Sequence, residues 1–382
     1  MSEKFDVAVV GACVFGAWTA HFLQRAGQRV LLLDEYGPAH NRASSGGESR
    51  IIRMAYGPDE IYTQWSKRSL PHWEELNARS GARIFHRTGV LWLARENDSN
   101  ALATLGVFQK NGVAHERFNE DELRRRYPQI AIDPGIFAIF EPGSGSLMAR
   151  RAVENVVLEA VKLGAEYRNE RVETPAGKGR LGEIRTSSGA TFSAGQFVFA
   201  CGPWLPYFFP TLLGEKIFPT RQEVFFFGLP PGDTRFSPPQ LPTFIDAASE
   251  FYGMPNLENR GIKVGADQHG GRIHPDTMER MPSAESAAKA REYVGRRFPA
   301  LKNAPLTEAR VCQYENTSSG DFLIDRHPDF ENVWIAGGGS GHGFKHGPAL
   351  GEYVSERVLK GGDVETRFSL ATKSTVQKRA VH

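Results

Sequence analysis

An α/β fold with a strand-rich α+β insert is predicted by three observations. The chain opens on an apolar strand, a glycine turn and an apolar-periodic helix, the unit that starts an α/β sheet. It closes on a second strand, glycine turn and helix over 333–359. Between them stand short strand-like runs at 223–227, 243–245, 251–254 and 261–265, which read as an antiparallel sheet.

Residues 5–10, FDVAVV, form the first strand, and GACVFG follows at 11–16. The helix after it carries Ala17, Ala20, Leu23 and Ala26 on one side and stops at Gly27. The second strand, 29–33, ends in Asp34, just over twenty residues past Gly11. A glycine turn, a helix dipole for a pyrophosphate and an acid for a ribose hydroxyl make a Rossmann-like dinucleotide fingerprint. Its candidate cofactor-binding residues are Gly11, Cys13, Phe15, Gly16 and Asp34. Cys13 takes the middle glycine place, so a small side chain stands where the backbone approaches the pyrophosphate. Without a ligand the same segment reads as an ordinary βαβ unit.

Residues 43–56, ASSGGESRIIRMAY, are a polar glycine turn and an arginine-bearing stretch. A helix is predicted over 61–76, with Trp65, Leu70, Trp73 and Leu76 as its apolar side, and a strand over 88–94. Helices at 102–111 and 120–126 belong to an inserted segment; a strand at 138–140 and a helix at 149–163 follow. FVFA at 197–200 is a buried strand running into the turn Cys201-Gly202-Pro203-Trp204. A helix covers 283–298 and a short strand 322–324. The last strand, 333–336, enters a glycine-rich turn at 337–347 that contains His342 and Lys345. Pro348 suits the first turn of the helix behind it, where a missing N–H costs nothing. Such a helix start can hold negative charge. The polar tail, 373–382, is expected to fray. The nucleotide signals thus lie at both ends of the chain. The expected division is a discontinuous cofactor domain, 1–88, 142–220 and 308–382, and a substrate domain, 89–141 and 221–307.

The 382 residues are too many for one simple core. A net charge of +2 gives no case for nucleic acid or an anionic membrane surface, and no apolar run reaches the roughly 20 residues of a membrane helix. The three cysteines, Cys13, Cys201 and Cys312, are odd in number and far apart. They suggest neither a disulfide framework nor a metal site, and they fit a reducing compartment. No secretory pattern precedes the first strand. The expectation is a cytoplasmic, monomeric protein without nucleic-acid or membrane partners.

Several segments together resemble the monomeric sarcosine oxidase family, within the D-amino-acid-oxidase-like flavoproteins. They are SRIIRMAYG at 49–57, TGVLWL, FEPGSGSL at 140–147, CGPW, YGMP, IKVG, CQY at Cys312 and SGHGFK at 340–345. The likeness runs to about Phe368. It implies an FAD enzyme that oxidises the carbon–nitrogen bond of secondary amino acids, with molecular oxygen as acceptor. By this resemblance Cys312 falls on a position that links the flavin covalently. Arg53 and Lys345 fall on the pair that holds the substrate carboxylate, and Arg50 lies against the flavin. Lys263 falls on the oxygen-activating lysine, and Tyr252 and Tyr314 on pocket tyrosines. Ser45, Gly341, Gly343 and Lys345 join the cofactor-binding set, with Arg50 and Cys312. Ser45 and Gly46 replace a histidine pair of close relatives, and Asp267 stands where a pocket histidine is expected.

Read alone, these residues admit plainer roles. An arginine such as Arg53 commonly sits in a surface ion pair, although a guanidinium fork is the best grip on a carboxylate. Lys345 could be a solvated loop lysine, His342 a shaper of the turn, and Lys263 a lysine on the polar face of its strand. Cys312 could be a small buried apolar residue, as most free cysteines are, and the tyrosines core aromatics. The predicted activity is oxidation of an N-methyl or cyclic secondary amino acid to an imine, with hydrogen peroxide as the other product. The rivals are a same-fold dehydrogenase serving an electron carrier, a glycated amino acid oxidase, and a flavin-binding protein that has lost catalysis.

Overall fold

The computed structural model describes residues 4–268 and 270–378. Among these, three sheets organise the chain. The first is built on Lys4–Val10, whose Val7-Ala8-Val9-Val10 run is buried on both faces, as a central parallel strand requires. Val30–Asp34 and Thr191–Phe199 flank it in parallel register, and Val333–Gly337 lies beyond Thr191–Phe199. The strand order therefore reverses beside Lys4–Val10, the place where open α/β sheets bind ligands at their carboxyl ends. Helices Val14–Arg25 and Gly347–Lys360 pack together over this sheet, with Trp18 wholly buried between them and Trp73.

The second sheet runs in the order Leu306–Asn316, Phe218–Phe227, Ile262–Ala266, Phe251–Met254, Thr243–Asp246, Val90–Arg95, Ile136–Glu141 and Glu116–Phe118. Its pairings are antiparallel except that Thr243–Asp246 runs parallel to Val90–Arg95. One face packs on helix Ala284–Arg297, where Phe298 and Tyr293 are buried, and the other roofs a cavity. A small third sheet pairs Ser49–Ile52 with Gly145–Met148 and Phe85–His86, and its strand Ser49–Ile52 gives Arg50 and Ile51 to the cavity floor.

Several expected boundaries move. Cys312 lies inside the eleven-residue strand Leu306–Asn316, which the sequence reading passed over. Its polar and charged residues lack a continuous apolar run because it is the edge strand of its sheet. The domain borders drawn at 220/221 and 307/308 both fall within strands of this second sheet. The helix predicted over 61–76 is Glu60–Ser80 and carries Pro71 within it. The tail does not fray through its described part: Lys373 is buried, its ammonium donates to the Arg367 carbonyl, and the Ser374 N–H donates to Ser318 Oγ at 3.0 Å. Residues 379–382 of the tail lie outside the described residues. Among the described residues, no helix is long and apolar enough to cross a membrane.

Candidate active site

The first glycine turn is shaped by steric need. Gly11 has φ +106°, and a Cβ there would strike the Ala200 carbonyl; Gly16 packs as closely on Gly11. Cys13 needs no such freedom. It sits at the helix start with φ −77° and ψ −174°, extended backbone open to any residue. Burial pushes its thiol far up, so it stays protonated and uncharged. Phe15 closes this end of the hollow by packing edge-on against Phe322 at 5.7 Å. Asp34 accepts from the N–H groups of Ala12, Tyr36 and Gly37 at 2.8, 2.9 and 3.0 Å, which locks the loop after its strand against the glycine turn. Ser45 is buried and its hydroxyl accepts from the Val14 N–H at 3.4 Å.

The larger cavity, about 810 Å³, lies between the roof and the floor and is of the size that small-molecule sites occupy. Arg50, Arg53, Tyr252, Lys263, Cys312, Tyr314, Gly341 and Lys345 all line it, although they come from five separate chain segments. A smaller hollow is lined by Cys13, Phe15, Ser45, Glu315 and Gly343, and shares Arg50, Tyr314 and Gly341 with the cavity. Gly11, Gly16 and Asp34 line neither; they shape the turn behind the hollow.

Each cation is held by a specific set of groups. The Arg50 guanidinium donates to the carbonyls of Ser49 and Ser44 at 2.8 and 2.7 Å and reaches the Cys312 sulfur at 3.4 Å. Arg53 lies between two rings, its Cζ 4.2 Å from the centre of Tyr56 and 4.9 Å from that of Trp92. Glu141, fully buried, accepts from the N–H groups of Met54 and Ala55 and fixes the backbone just past Arg53. Lys263 does not point to solvent. It is 2% exposed, and its ammonium donates to the Ser49 carbonyl at 2.8 Å and hydroxyl at 3.2 Å. Burial, and then the neighbouring Arg50 charge, hold its pKa well below the usual lysine range.

Lys345 is not a solvated loop residue either. It is 5% exposed and donates to the Tyr56 hydroxyl at 2.8 Å and the His342 carbonyl at 2.9 Å. Tyr56 lies 2.8 Å from His346 Nε2, and burial keeps His346 neutral, so the tyrosine can accept from the lysine and donate to the imidazole. The Trp73 indole N–H donates to the Lys345 carbonyl at 2.9 Å, which ties the glycine turn to the long helix. His342 reaches the Gly320 carbonyl at 2.9 Å and stacks on Phe322 at 4.9 Å, and so helps shape the turn. Gly341 has φ +79°, and a Cβ there would come within 2.7 Å of the Tyr314 ring. Burial pushes the Tyr252 hydroxyl up to about 12 and that of Tyr314 well above the usual tyrosine value; both remain neutral donors at ordinary pH.

The FAD dependent oxidoreductase family profile matches residues 6–357. The chain belongs to this family. It is 32% identical to the monomeric sarcosine oxidase of a Bacillus species, over the whole of both chains. It is 30% identical to the N-methyl-L-tryptophan oxidase of Salmonella arizonae, over 94% of this chain and 95% of that one. Among solved structures, L-proline dehydrogenase of P. horikoshii superposes with a TM-score of 0.84 at 21% identity, covering 97% and 98% of the two chains. Glycine oxidase of Bacillus cereus gives 0.78 at 19% identity over 99% and 100%. The chain is thus an FAD-dependent oxidoreductase of the amine-oxidising kind, with a Rossmann-like cofactor fold.

The residues present fit FAD. The glycine turn at the start of Val14–Arg25 presents backbone to a pyrophosphate. Beyond it the smaller hollow has a buried carboxyl oxygen with no partner, Glu315 Oε2, as a site for a polar ligand would. The sequence reading missed Glu315, Tyr56, His346 and Glu141. Glu315 directly follows the CQY segment and Tyr56 stands inside SRIIRMAYG, so the signal was adjacent but carried no spacing rule.

Proposed function

We propose that this chain oxidises a secondary amino acid, N-methylated or cyclic, to an imine that hydrolyses, with hydrogen peroxide as the second product. FAD, when bound, supplies the two-electron acceptor that oxygen then restores. The observation that carries this reading is the meeting of Arg53, Lys345, Arg50, Lys263 and Cys312 around one cavity. Arg53 offers the fork that matches a carboxylate, and Lys345, held at a fixed place by Tyr56, offers the second positive charge. Tyr252 and Tyr314 supply neutral hydroxyls to the substrate amine. Lys263 would face the negative charge that develops on oxygen, and the Cys312 sulfur, beside Arg50, would be the residue that holds the cofactor covalently. We assign residues 89–141 and 218–316 to the substrate domain and the flanking pieces to the cofactor domain, so that no strand of the second sheet is divided. A monomer in a reducing compartment suits the three free cysteines and the likeness to the monomeric sarcosine oxidase of the Bacillus species.

Acids in the cavity lining narrow the substrate. Asp267, which is exposed, lines the cavity together with Asp98 and Glu250. These acids disfavour a second carboxylate and accept a neutral or cationic side chain. A peroxide assay over sarcosine, other N-methyl amino acids, pipecolate, proline and glycated amino acids tests the reading. Turnover of a secondary amino acid, with little on N-methyl aspartate, is the expected outcome. Peroxide from none of the panel, with reduction of the flavin and transfer to a dye instead, would point to the dehydrogenase. Denatured protein should also stay yellow, and Cys312→Ala should release its FAD on acid precipitation; release from the unaltered protein would remove Cys312 from the linking role.

A further inference from the structure

We propose that Glu315 is a flavin-holding residue whose carboxyl carries a proton while it hydrogen-bonds the hydroxyl-bearing chain between the ring and the pyrophosphate of FAD. The inference rests on FAD being the cofactor of this site.

Glu315 is next to last in the strand Leu306–Asn316, three residues past Cys312. Side chains alternate along a strand, so Cys312 and Tyr314 share one face while Gln313 and Glu315 share the other. Glu315 lines the smaller hollow together with Cys13, from the first glycine turn, and Arg50, which reaches Cys312 at the edge of the cavity. That is the stretch a cofactor must cross to join those two ends, and its polyol chain carries hydroxyls suited to a carboxyl.

The carboxyl is built in but incompletely satisfied. Glu315 is 7% exposed. Oε1 accepts one long hydrogen bond, 3.3 Å, from the Gly339 N–H, and Oε2 has no partner. Glycines surround it: a Cβ on Gly337 would stand 3.3 Å from Oε2, one on Gly202 3.7 Å from Oε2, and one on Gly339 3.4 Å from Oε1. Leaving a buried carboxyl oxygen unpaired costs more than a typical hydrogen bond gains. A purely structural acid would have been given a partner, as Asp34 was.

The groups facing Glu315 explain the proton. The helix start presents the Cys13 thiol and the turn after Thr191–Phe199 presents the Cys201 thiol, both held neutral by burial. Tyr314 beside it is neutral as well, and Asp34 lies near the same two thiols. Arg50 stands on the far side of the hollow, engaged with the carbonyls of Ser44 and Ser49. Burial pushes the Glu315 carboxyl up to about 7, and the Gly339 and Gly338 amides pull it only partly back. A pyrophosphate brought to the helix start adds negative charge, which favours the protonated acid further. The carboxyl pKa is then higher with cofactor than without. Affinity is full below about 7 and declines as pH rises through that value, because binding must take up a proton.

The test titrates FAD into Cys312→Ala apoprotein, where no covalent bond can trap the cofactor, and follows quenching of flavin fluorescence from pH 6 to 8.5. The dissociation constant should rise roughly tenfold to twentyfold between pH 7 and 8.5, the limit for one linked proton. Adding Glu315→Gln should flatten the profile while keeping the hydrogen bond; adding Glu315→Met should flatten it and weaken binding at every pH. An equal pH slope in the Glu315→Gln protein overturns the proposal. If neither variant folds, infrared difference spectra of Cys312→Ala protein with carbon-13-labelled glutamate decide it: FAD should increase a protonated carboxyl band, and an unchanged band overturns it. Absence of FAD binding at any pH would instead overturn the cofactor reading of the site.

Discussion

The two ends of the ligand cleft are built from opposite materials. The dinucleotide end has backbone, two neutral thiols and the buried acid Glu315 around its hollow, with Asp34 behind the glycine turn. The amino-acid end collects Arg50, Arg53, Lys263 and Lys345 around one cavity. Among the described residues, Arg50 and Lys263 are gripped by carbonyl and hydroxyl oxygens and not by carboxylates. Neutral acceptors orient a cation without cancelling it, so the charge remains available to an anion in the cavity. At the other end the helix start already supplies positive potential; Asp34 closes the loop there, and Glu315 is the proposed partner of a ligand hydroxyl. The contrast teaches that one cleft can take a molecule with an anionic middle and a second, separate anionic partner without confusing the two.

The sharpest way to break this contrast is to remove the most buried cation. Lys263→Met should slow reoxidation by oxygen by roughly 10²–10³, the effect of deleting one preorganised electrostatic group, and should slow anaerobic reduction by substrate far less. Stopped-flow measurement of the two half-reactions separates them; equal slowing would place Lys263 with the substrate. Burial and then Arg50 lower the Lys263 pKa, so its positive charge is lost at a lower pH than that of an ordinary lysine. The oxygen half-reaction should therefore depend on pH more steeply than the substrate half-reaction.

A second, smaller effect is expected from Arg53. Hydrogen bonds to charged groups contribute about 1.5–3 kcal/mol each, so Arg53→Met should weaken a carboxylate ligand by roughly tenfold to a hundredfold. Flavin content should stay unchanged, and an amine lacking the carboxylate should be little affected. Titration of flavin absorbance with an unreactive carboxylate checks this, and unchanged affinity would remove Arg53 from the site.

The two ends also differ in how legible they were. Gly11, Gly16 and Asp34 were readable because their spacing follows from backbone geometry: a turn too tight for Cβ, and an acid one strand away. The cations had no such rule. Lys263, Arg53 and Lys345 come together through folding of distant segments, and only the family resemblance proposed them as a set. Reading single residues would have left Lys263 and Lys345 in solvent, because charged side chains usually lie there; both are buried. The Tyr56–His346 support of Lys345 and the loop lock of Glu141 were invisible for the same reason. The edge strand around Cys312 was lost because its partner strand, not its own pattern, makes it a strand.

The smallest predicted effect tests whether the acid at the dinucleotide end serves the loop or mainly the ligand. Asp34 accepts three backbone N–H bonds, with Oδ2 taking that of Ala12 and Oδ1 those of Tyr36 and Gly37. Burial raises its pKa and these bonds pull it back, so both oxygens are already committed within the protein. Asp34→Asn keeps one acceptor oxygen but turns an amide N–H toward one of these donors, which loses a bond and adds a clash. The apoprotein should lose about 1–3 kcal/mol, the usual cost of an unmatched buried donor. For a chain of this length that corresponds to a fall of a few degrees in Tm. Thermal unfolding of apoprotein and FAD-loaded protein distinguishes the two roles. A similar loss in both assigns Asp34 chiefly to the loop. An apoprotein of unchanged Tm, with the loss appearing only when FAD is present, would make it chiefly a ligand group and bring it closer in character to the cations at the other end.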